Sequence, residues 1–140
     1  MVRQAVRPRV LVGLTSSSTA ETLAKCGVEA EGLVIPTSFV PNNPEARAAA
    51  EAVERAGGIA DLHSMAAWEI VATLARLMEQ EGVLGTHESI AIDRRKLRDG
   101  LARLTTMHGL LGPIGRSADR EARKPFVLVQ ARGGVWRVVR

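Results

Sequence analysis

Apolar positions along the chain fall into two kinds of run. Short β-branched stretches stand near both ends, and helical repeats fill the middle. Pro8-Arg9-Val10-Leu11-Val12-Gly13 enters through proline and predicts a strand. The polar cluster Thr15-Ser16-Ser17-Ser18 ends it. Ser17 or Ser18 is placed to cap a helix with Ala20, Leu23 and Ala24 on one face, Glu21 in its first turn and Gly27 as its stop. Val34-Ile35 begins a second strand, which Pro36 is expected to end. A strand, helix, strand order with so short a crossover implies parallel pairing.

The centre of the chain repeats every three to four residues. Asn43 before Pro44 puts a cap residue ahead of proline at the first helical position, and Ala46, Ala49, Ala50 and Val53 follow at helical spacing up to Gly57-Gly58. The strongest periodicity is Ala67, Ile70, Val71, Leu74, Leu77 and Met78, ending near Gly82, which predicts a long helix burying that stripe. Asp93 is expected to cap another helix, bearing Leu97, Leu101 and Leu104. Two last runs, Phe126 to Gln130 and Val135 to Val139, flank Ala131-Arg132-Gly133-Gly134 and predict a β-hairpin. No segment repeats and none is of low complexity.

At 140 residues and 46% hydrophobic content the chain is the size of one ordinary domain with a real core. Its formal charge of +4 invites a nucleic-acid reading, with Arg3, Arg7 and Arg9 at one end and Arg116, Arg120, Arg123 and Lys124 near the other. Single-strand binders interleave such cations with aromatic platforms. Two Phe, two Trp and no Tyr do not provide them, so a solvated Arg-rich surface is the reading. One cysteine, Cys26, excludes an internal disulfide and a Cys-based zinc site. The apolar run Val10 to Leu14 is shorter than the roughly 7 to 15 residues of a secretory leader, and no stretch nears the ~20 that span a membrane. As encoded, the chain is expected without a signal peptide and hence in the cytoplasm.

Few residues carry chemistry. The loop Gly13-Leu14-Thr15-Ser16-Ser17-Ser18 follows a strand and precedes a helix, where open α/β sheets place ligands. Its hydroxyls and free backbone N–H groups suit a carboxylate or polar head. His63, His87 and His108 are dispersed without ligand spacing, so no metal site is expected. Cys26 has Lys25 beside it but no histidine and acid, and reads as a small buried residue. Gly109 to Gly115 lacks the Lys-Ser/Thr ending of a phosphate loop. No nucleophile, base and orienting group can be assembled, so no enzyme and no cofactor is expected.

Five segments in order resemble one family. They are Ala30-Glu31-Gly32-Leu33-Val34-Ile35-Pro36-Thr37-Ser38-Phe39, the helix Leu62 to Val71 with its Trp68-Glu69-Ile70-Val71 centre, Arg95 to Leu101, His108-Gly109-Leu110-Leu111-Gly112-Pro113-Ile114, and Pro125 to Gln130 with Gly134-Val135-Trp136. Together they resemble the closing third of an ABC-transporter solute-binding protein of the branched-chain amino acid type, with the type I periplasmic binding fold.

The resemblance implies an α/β architecture of two lobes. It assigns residues 1–36 to a strand-helix-strand segment of the second lobe, 37–108 to a helical segment of the first, and 109–140 to a return with a closing hairpin. It implies ligand contacts from Thr15, Ser16 and Ser17 on one lobe and His63 on the other, with Thr37, Ser38, Gly112 and Pro113 as hinge positions. Family members often carry an acid in the first loop to meet the ligand's ammonium. Leu14, Thr15 and Ser16 stand there instead, which favours a neutral or differently charged solute. The implied setting is extracytoplasmic and the implied partners are an amino acid or amide-like solute and, for a full-length protein, an ABC permease. The long helical stripe has too few strands here to cover it. This leaves open a homodimer, a separately encoded N-terminal lobe, or a structural module that binds no ligand.

Overall fold

The computed structural model describes residues 10–119 and 121–139. Pro8 and Arg9 of the first expected strand, and Arg3, Arg7 and Arg120 of the basic clusters, lie outside them. Parallel pairing is present at one bridge, Val12 to Val34. The Gly13 N–H donates to the Val34 carbonyl at 2.9 Å, and the Val34 N–H to the Leu11 carbonyl at 2.9 Å. Helix α1 (Ala20–Cys26) is capped by Thr19, whose Oγ1 accepts from the Thr22 N–H at 3.2 Å. The expected cap, Ser17 or Ser18, is displaced because Thr15–Ser17 makes a 3-10 turn that the Ser18 hydroxyl closes onto the Thr15 carbonyl at 2.8 Å. Gly27 stops α1 as expected.

Strand β1 (Val34–Thr37) runs through Pro36 instead of ending at it. Amide direction alternates along a strand, so the Pro36 nitrogen faces the same side as Val34, beyond the point where pairing with Leu11 to Gly13 has ended. No ladder bond is lost there. Helix α2 (Pro44–Arg55) begins as its sequence dictates, with Asn43 Oδ1 accepting from the Ala46 N–H at 2.8 Å and Ala46, Ala49 and Ala50 buried.

Helix α3 (Leu62–Gln80) has the expected length but not the expected buried face. It buries Met65, Glu69 and Leu77. The opposite side, around Ala67, Val71 and Met78, is bare, with Val71 65% exposed. Of the expected stripe only Leu77 is buried, with Leu74 half-buried, because the elements that pack on α3 all lie on its other side. Helix α4 (Ile90–Arg103) approaches α3 closely at Gly100, where a Cβ would come within 2.9 Å of Leu77 Cδ1.

Asp93 is not the cap of α4 but its fourth residue. Its buried carboxylate accepts from the Leu84 N–H at 3.3 Å, the Gly85 N–H at 3.0 Å and the Ser89 hydroxyl at 2.5 Å, so it holds the loop that leads into the helix. These bonds, the Ser89 one foremost, hold its pKa below the usual carboxylate value against the opposing effect of burial.

A small antiparallel sheet follows that the sequence did not announce, since its strands β2 (Thr106–Met107), β3 (Ile114–Arg116) and β4 (Ala122–Arg123) are only two or three residues long. The chain then returns to β1 as β5 (Val127–Arg132) and closes with β6 (Val135–Val138), in the order β1-β5-β6. The hairpin turn is shorter than the four residues expected. Arg132 pairs directly with Val135, and Gly133 and Gly134, at φ 59° and 76°, supply the two left-handed positions of a type I′ turn. The helical half therefore runs from the end of β1 through β4, past residue 108.

Two cores result. Leu23, Ala30, Leu33, Ile35, Val129 and Ala131 form one between α1 and the sheet, and Phe39, Ala46, Ala49, Ala50, Met65 and Leu110 form the other. At the crossing between the halves, Phe39 enters the helical core while Val40 packs on the sheet core.

Leu77→Ala is expected to cost about 2 to 5 kcal/mol, whereas Val71→Ala, on the bare side of the same helix, should stay within ~0.5 kcal/mol in the chain by itself. Urea denaturation of both variants checks the face assignment, and equal costs would overturn it. The depressed pKa of Asp93 has a definite sign. Its contribution to stability is complete above the unfolded value near 3.9 and is lost as pH falls through the folded value. Stability should therefore fall more steeply below about pH 4 in the wild type than in Asp93→Asn, as denaturation midpoints across that window will show.

Candidate functional site

The two halves meet around a cleft of about 370 Å³. Ser18 and Ala20 border it from the start of α1, Thr37 and Phe39 to Asn42 from the crossing, Ile59 to Leu62 from the start of α3, and Trp136 and Val138 from β6. Its lining is apolar except for a few groups, and the fold explains where each stands.

Thr37 is buried at the end of β1. Its hydroxyl accepts from the Phe39 N–H at 3.3 Å and lies 3.2 Å from the Phe39 carbonyl, which tightens the exit from the strand. Ser18 Oγ stands 3.3 Å from Thr37 Oγ1, but its single proton is better placed for the Thr15 carbonyl at 2.8 Å. Across the cleft, Asp61 caps α3. Its Oδ1 accepts from the His63 and Ser64 N–H groups, both at 2.9 Å, while Ser64 Oγ accepts from the Asp61 N–H at 3.0 Å, completing a capping box. The Ser64 amide is the chief cause of a lowered Asp61 pKa, so the group is an anion at neutral pH. Asp61 Oδ2 has no hydrogen-bond partner among the described residues. Trp136 is held against α1 by its indole N–H, which donates to the Thr19 carbonyl at 3.1 Å.

The residues expected to contact a ligand stand beside this cleft rather than in its lining. Thr15, Ser16 and Ser17 form the 3-10 turn just before Ser18, with Ser16 exposed and the other two half-buried. His63 is exposed one residue beyond Leu62. Sequence reasoning thus reached both walls, with Ser18 inside the expected hydroxyl loop, but missed Thr37, Asn42, Asp61 and Trp136 as lining groups. The Asp61-x-x-Ser64 spacing is a capping-box signal that could have marked the start of α3.

The expected hinge residues separate. Thr37 and Ser38 carry the chain out of β1. Gly112 and Pro113 lie in the β2–β3 turn, where the Gly112 N–H donates to the Gly109 carbonyl at 3.0 Å. That turn is fastened to the helical half, because Asn43 Nδ2 donates to the Leu110 carbonyl at 2.7 Å and the Leu110 N–H donates to buried Glu69 Oε1 at 2.8 Å. The strand that runs back beside Thr37 begins at Val127, its register partner, so Lys124-Pro125-Phe126 makes the return. Lys124 pairs there with Glu69 Oε2.

Cys26 is a half-buried free thiol, and His108 pairs with Glu45 at 2.8 Å on the surface. Among the described residues no three His, Cys, Asp or Glu side chains gather to hold a metal ion, and no helix is long and apolar enough to cross a membrane.

The family model described as periplasmic binding protein matches residues 3–135. No curated protein sequence matches significantly. Among solved structures, a leucine binding protein from Thermotoga maritima is 20% identical and superposes with a TM-score of 0.76 over 99% of this chain and 38% of its own. A substrate-binding protein of an ABC transporter from Desulfitobacterium hafniense, in complex with Leu, is 21% identical with a TM-score of 0.65 over 99% and 38%. An extracellular ligand binding receptor from Desulfohalobium retbaense is 25% identical with a TM-score of 0.69 over 98% and 23%. The chain thus spans less than two fifths of the length of these relatives. The fold is that of part of these binding proteins, and the chain belongs to the periplasmic binding protein family.

Proposed function

We propose that the chain provides one part of the solute site of an extracytoplasmic ABC-importer receptor for an amino acid or a similarly small polar solute. It is a binder, not a catalyst. The observation that carries this reading is the cleft at the junction of the halves, with hydroxyls from Ser18 and Thr37 on one side and the Asp61 carboxylate on the other. An anion facing hydroxyls across an apolar lining suits a ligand with one charged head and an aliphatic body. The acid absent from the loop at Leu14 to Ser16 is thereby supplied from the start of α3.

Thr15, Ser16, Ser17 and His63 are then rim contacts, the first three continuing the wall that Ser18 begins. Thr37 and Ser38, together with Lys124 to Phe126, are the two legs about which the halves move. Gly112 and Pro113, if they bend, do so within the helical half. Relatives named for leucine make the branched-chain amino acids the first solutes to test.

The 140-residue chain by itself is expected to bind leucine, isoleucine or valine no more tightly than millimolar, because small-molecule sites bury most of the ligand and this cleft encloses one side. In a chimaera that adds the part of the Thermotoga protein outside its 38% match, calorimetry should show tighter binding. There Ser18→Ala, or Thr15→Ala with Ser16→Ala, should lose about 1 to 3 kcal/mol by leaving polar ligand groups unpaired. Micromolar binding by the chain by itself, or unchanged affinity in both variants, would place the site elsewhere.

A further inference from the structure

The polar side chains that line the cleft offer a solute acceptors and almost no donors. Ser18 gives its hydroxyl proton to the Thr15 carbonyl at 2.8 Å, and Thr37 gives its own to the Phe39 carbonyl at 3.2 Å. The Trp136 indole N–H is used on the Thr19 carbonyl at 3.1 Å. Each of these groups has one proton, so Ser18 and Thr37 present oxygen lone pairs to the cleft and Trp136 presents its ring. Asp61 adds a carboxylate, an acceptor only, whose Oδ2 has no hydrogen-bond partner among the described residues. It is ionised at neutral pH and is the one charged group among the described lining residues. The exposed amide of Asn42 is the one lining side chain that keeps a free donor, and it stands at the edge.

We infer that the solute of this cleft is an aliphatic amine without a carboxylate, its ammonium set against Asp61 and the Ser18 and Thr37 oxygens and its hydrocarbon body along the apolar lining. An ammonium carries three donors and no acceptor, which is the complement of a wall made of lone pairs and one anion. The rest of the lining, Val40, Pro41, Ile59, Val129 and Val138 among it, gives an alkyl chain apolar surface to cover. A carboxylate on the same solute would face a second carboxylate and oxygens whose protons point elsewhere. An unpaired charge of that kind is how a site rejects a near relative of its ligand. The inference rests on the receptor reading and narrows its solute from amino acids to amines, with Asp61 as the residue that makes the distinction.

The test titrates the 140-residue chain with three probes built on one carbon skeleton, at neutral pH and constant ionic strength, and follows amide and indole NMR shifts. Isoamylamine is leucine without its carboxylate, isocaproate is leucine without its ammonium, and leucine itself is the third. Isoamylamine is expected to shift Thr37, Leu62 and the Trp136 indole and to bind roughly tenfold more tightly than leucine, the order of discrimination that one unpaired charged group imposes. Isocaproate should leave those signals where they are. Asp61→Asn and Asp61→Ser each keep a capping oxygen at the start of α3, and both should abolish the preference for the amine. Leucine or isocaproate binding in the cleft as tightly as the amine would overturn the inference and leave the receptor reading standing. An amine preference that survives both substitutions would overturn it as well. If none of the three probes shifts a cleft residue, the receptor reading falls and the inference falls with it.

Discussion

The carboxylate of Glu69 is the constraint on which the arrangement of the halves depends. It sits on α3 with its side chain 7% exposed, where an ionised group must be paired and hydrogen-bonded. Both partners come from later in the chain. The Leu110 N–H reaches Oε1 from the turn after β2, and the Lys124 ammonium reaches Oε2 from the end of β4. One side chain therefore fastens the small sheet to the long helix and sets where the chain starts back. With Lys124 held there, Pro125 and Phe126 deliver β5 beside β1, and the two passages between the halves lie next to each other. The cleft exists because the halves are joined along that one edge.

The outward passage is shaped just as locally. Thr37 turns its hydroxyl to the backbone of Phe39, and the next two side chains part company, Phe39 to the helical core and Val40 to the sheet core. Neighbouring residues anchored in different cores give a short crossing with little slack. The return at Lys124 to Phe126 is equally short, so the two halves are joined by two adjacent, tightly anchored connections.

Features set by a residue and its nearest neighbours were legible in the sequence. Asn43 before Pro44 opens α2 and Gly27 closes α1, each because a cap or helix stop demands that residue type, and the closing hairpin was legible although its turn is Gly133-Gly134 and not the four residues from Ala131. Assignments failed where two groups compete for one oxygen or where the decisive neighbour is distant. Ser18 gives up the cap of α1 to close the turn at Thr15, and Asp93 moves inside α4 because Leu84, Gly85 and Ser89 use its carboxylate. Pro36 stays in β1 because its missing N–H faces a side where no strand continues. The cleft was legible only as two loops. Which side chain of each enters it depends on turn geometry, and this shifts the lining to Ser18 on one wall and to Asp61 and Leu62 on the other.

Helix α3 shows most directly why periodicity alone cannot name a buried face. Its stronger apolar stripe, through Ala67, Val71 and Met78, is bare, while the side that carries Glu69 is packed. Burial energy favours the apolar stripe at about 25 cal/mol per Å², yet it acts only where a partner surface exists to receive it. Within this chain the partners α2, α4 and the turn at Leu110 all arrive on the other side, where Ala and Gly residues permit close approach and Glu69 finds a donor and a cation. A helix apolar on both sides thus buries only the one its neighbours reach, and the residues that look most like core stay bare because no described element of the chain packs on them.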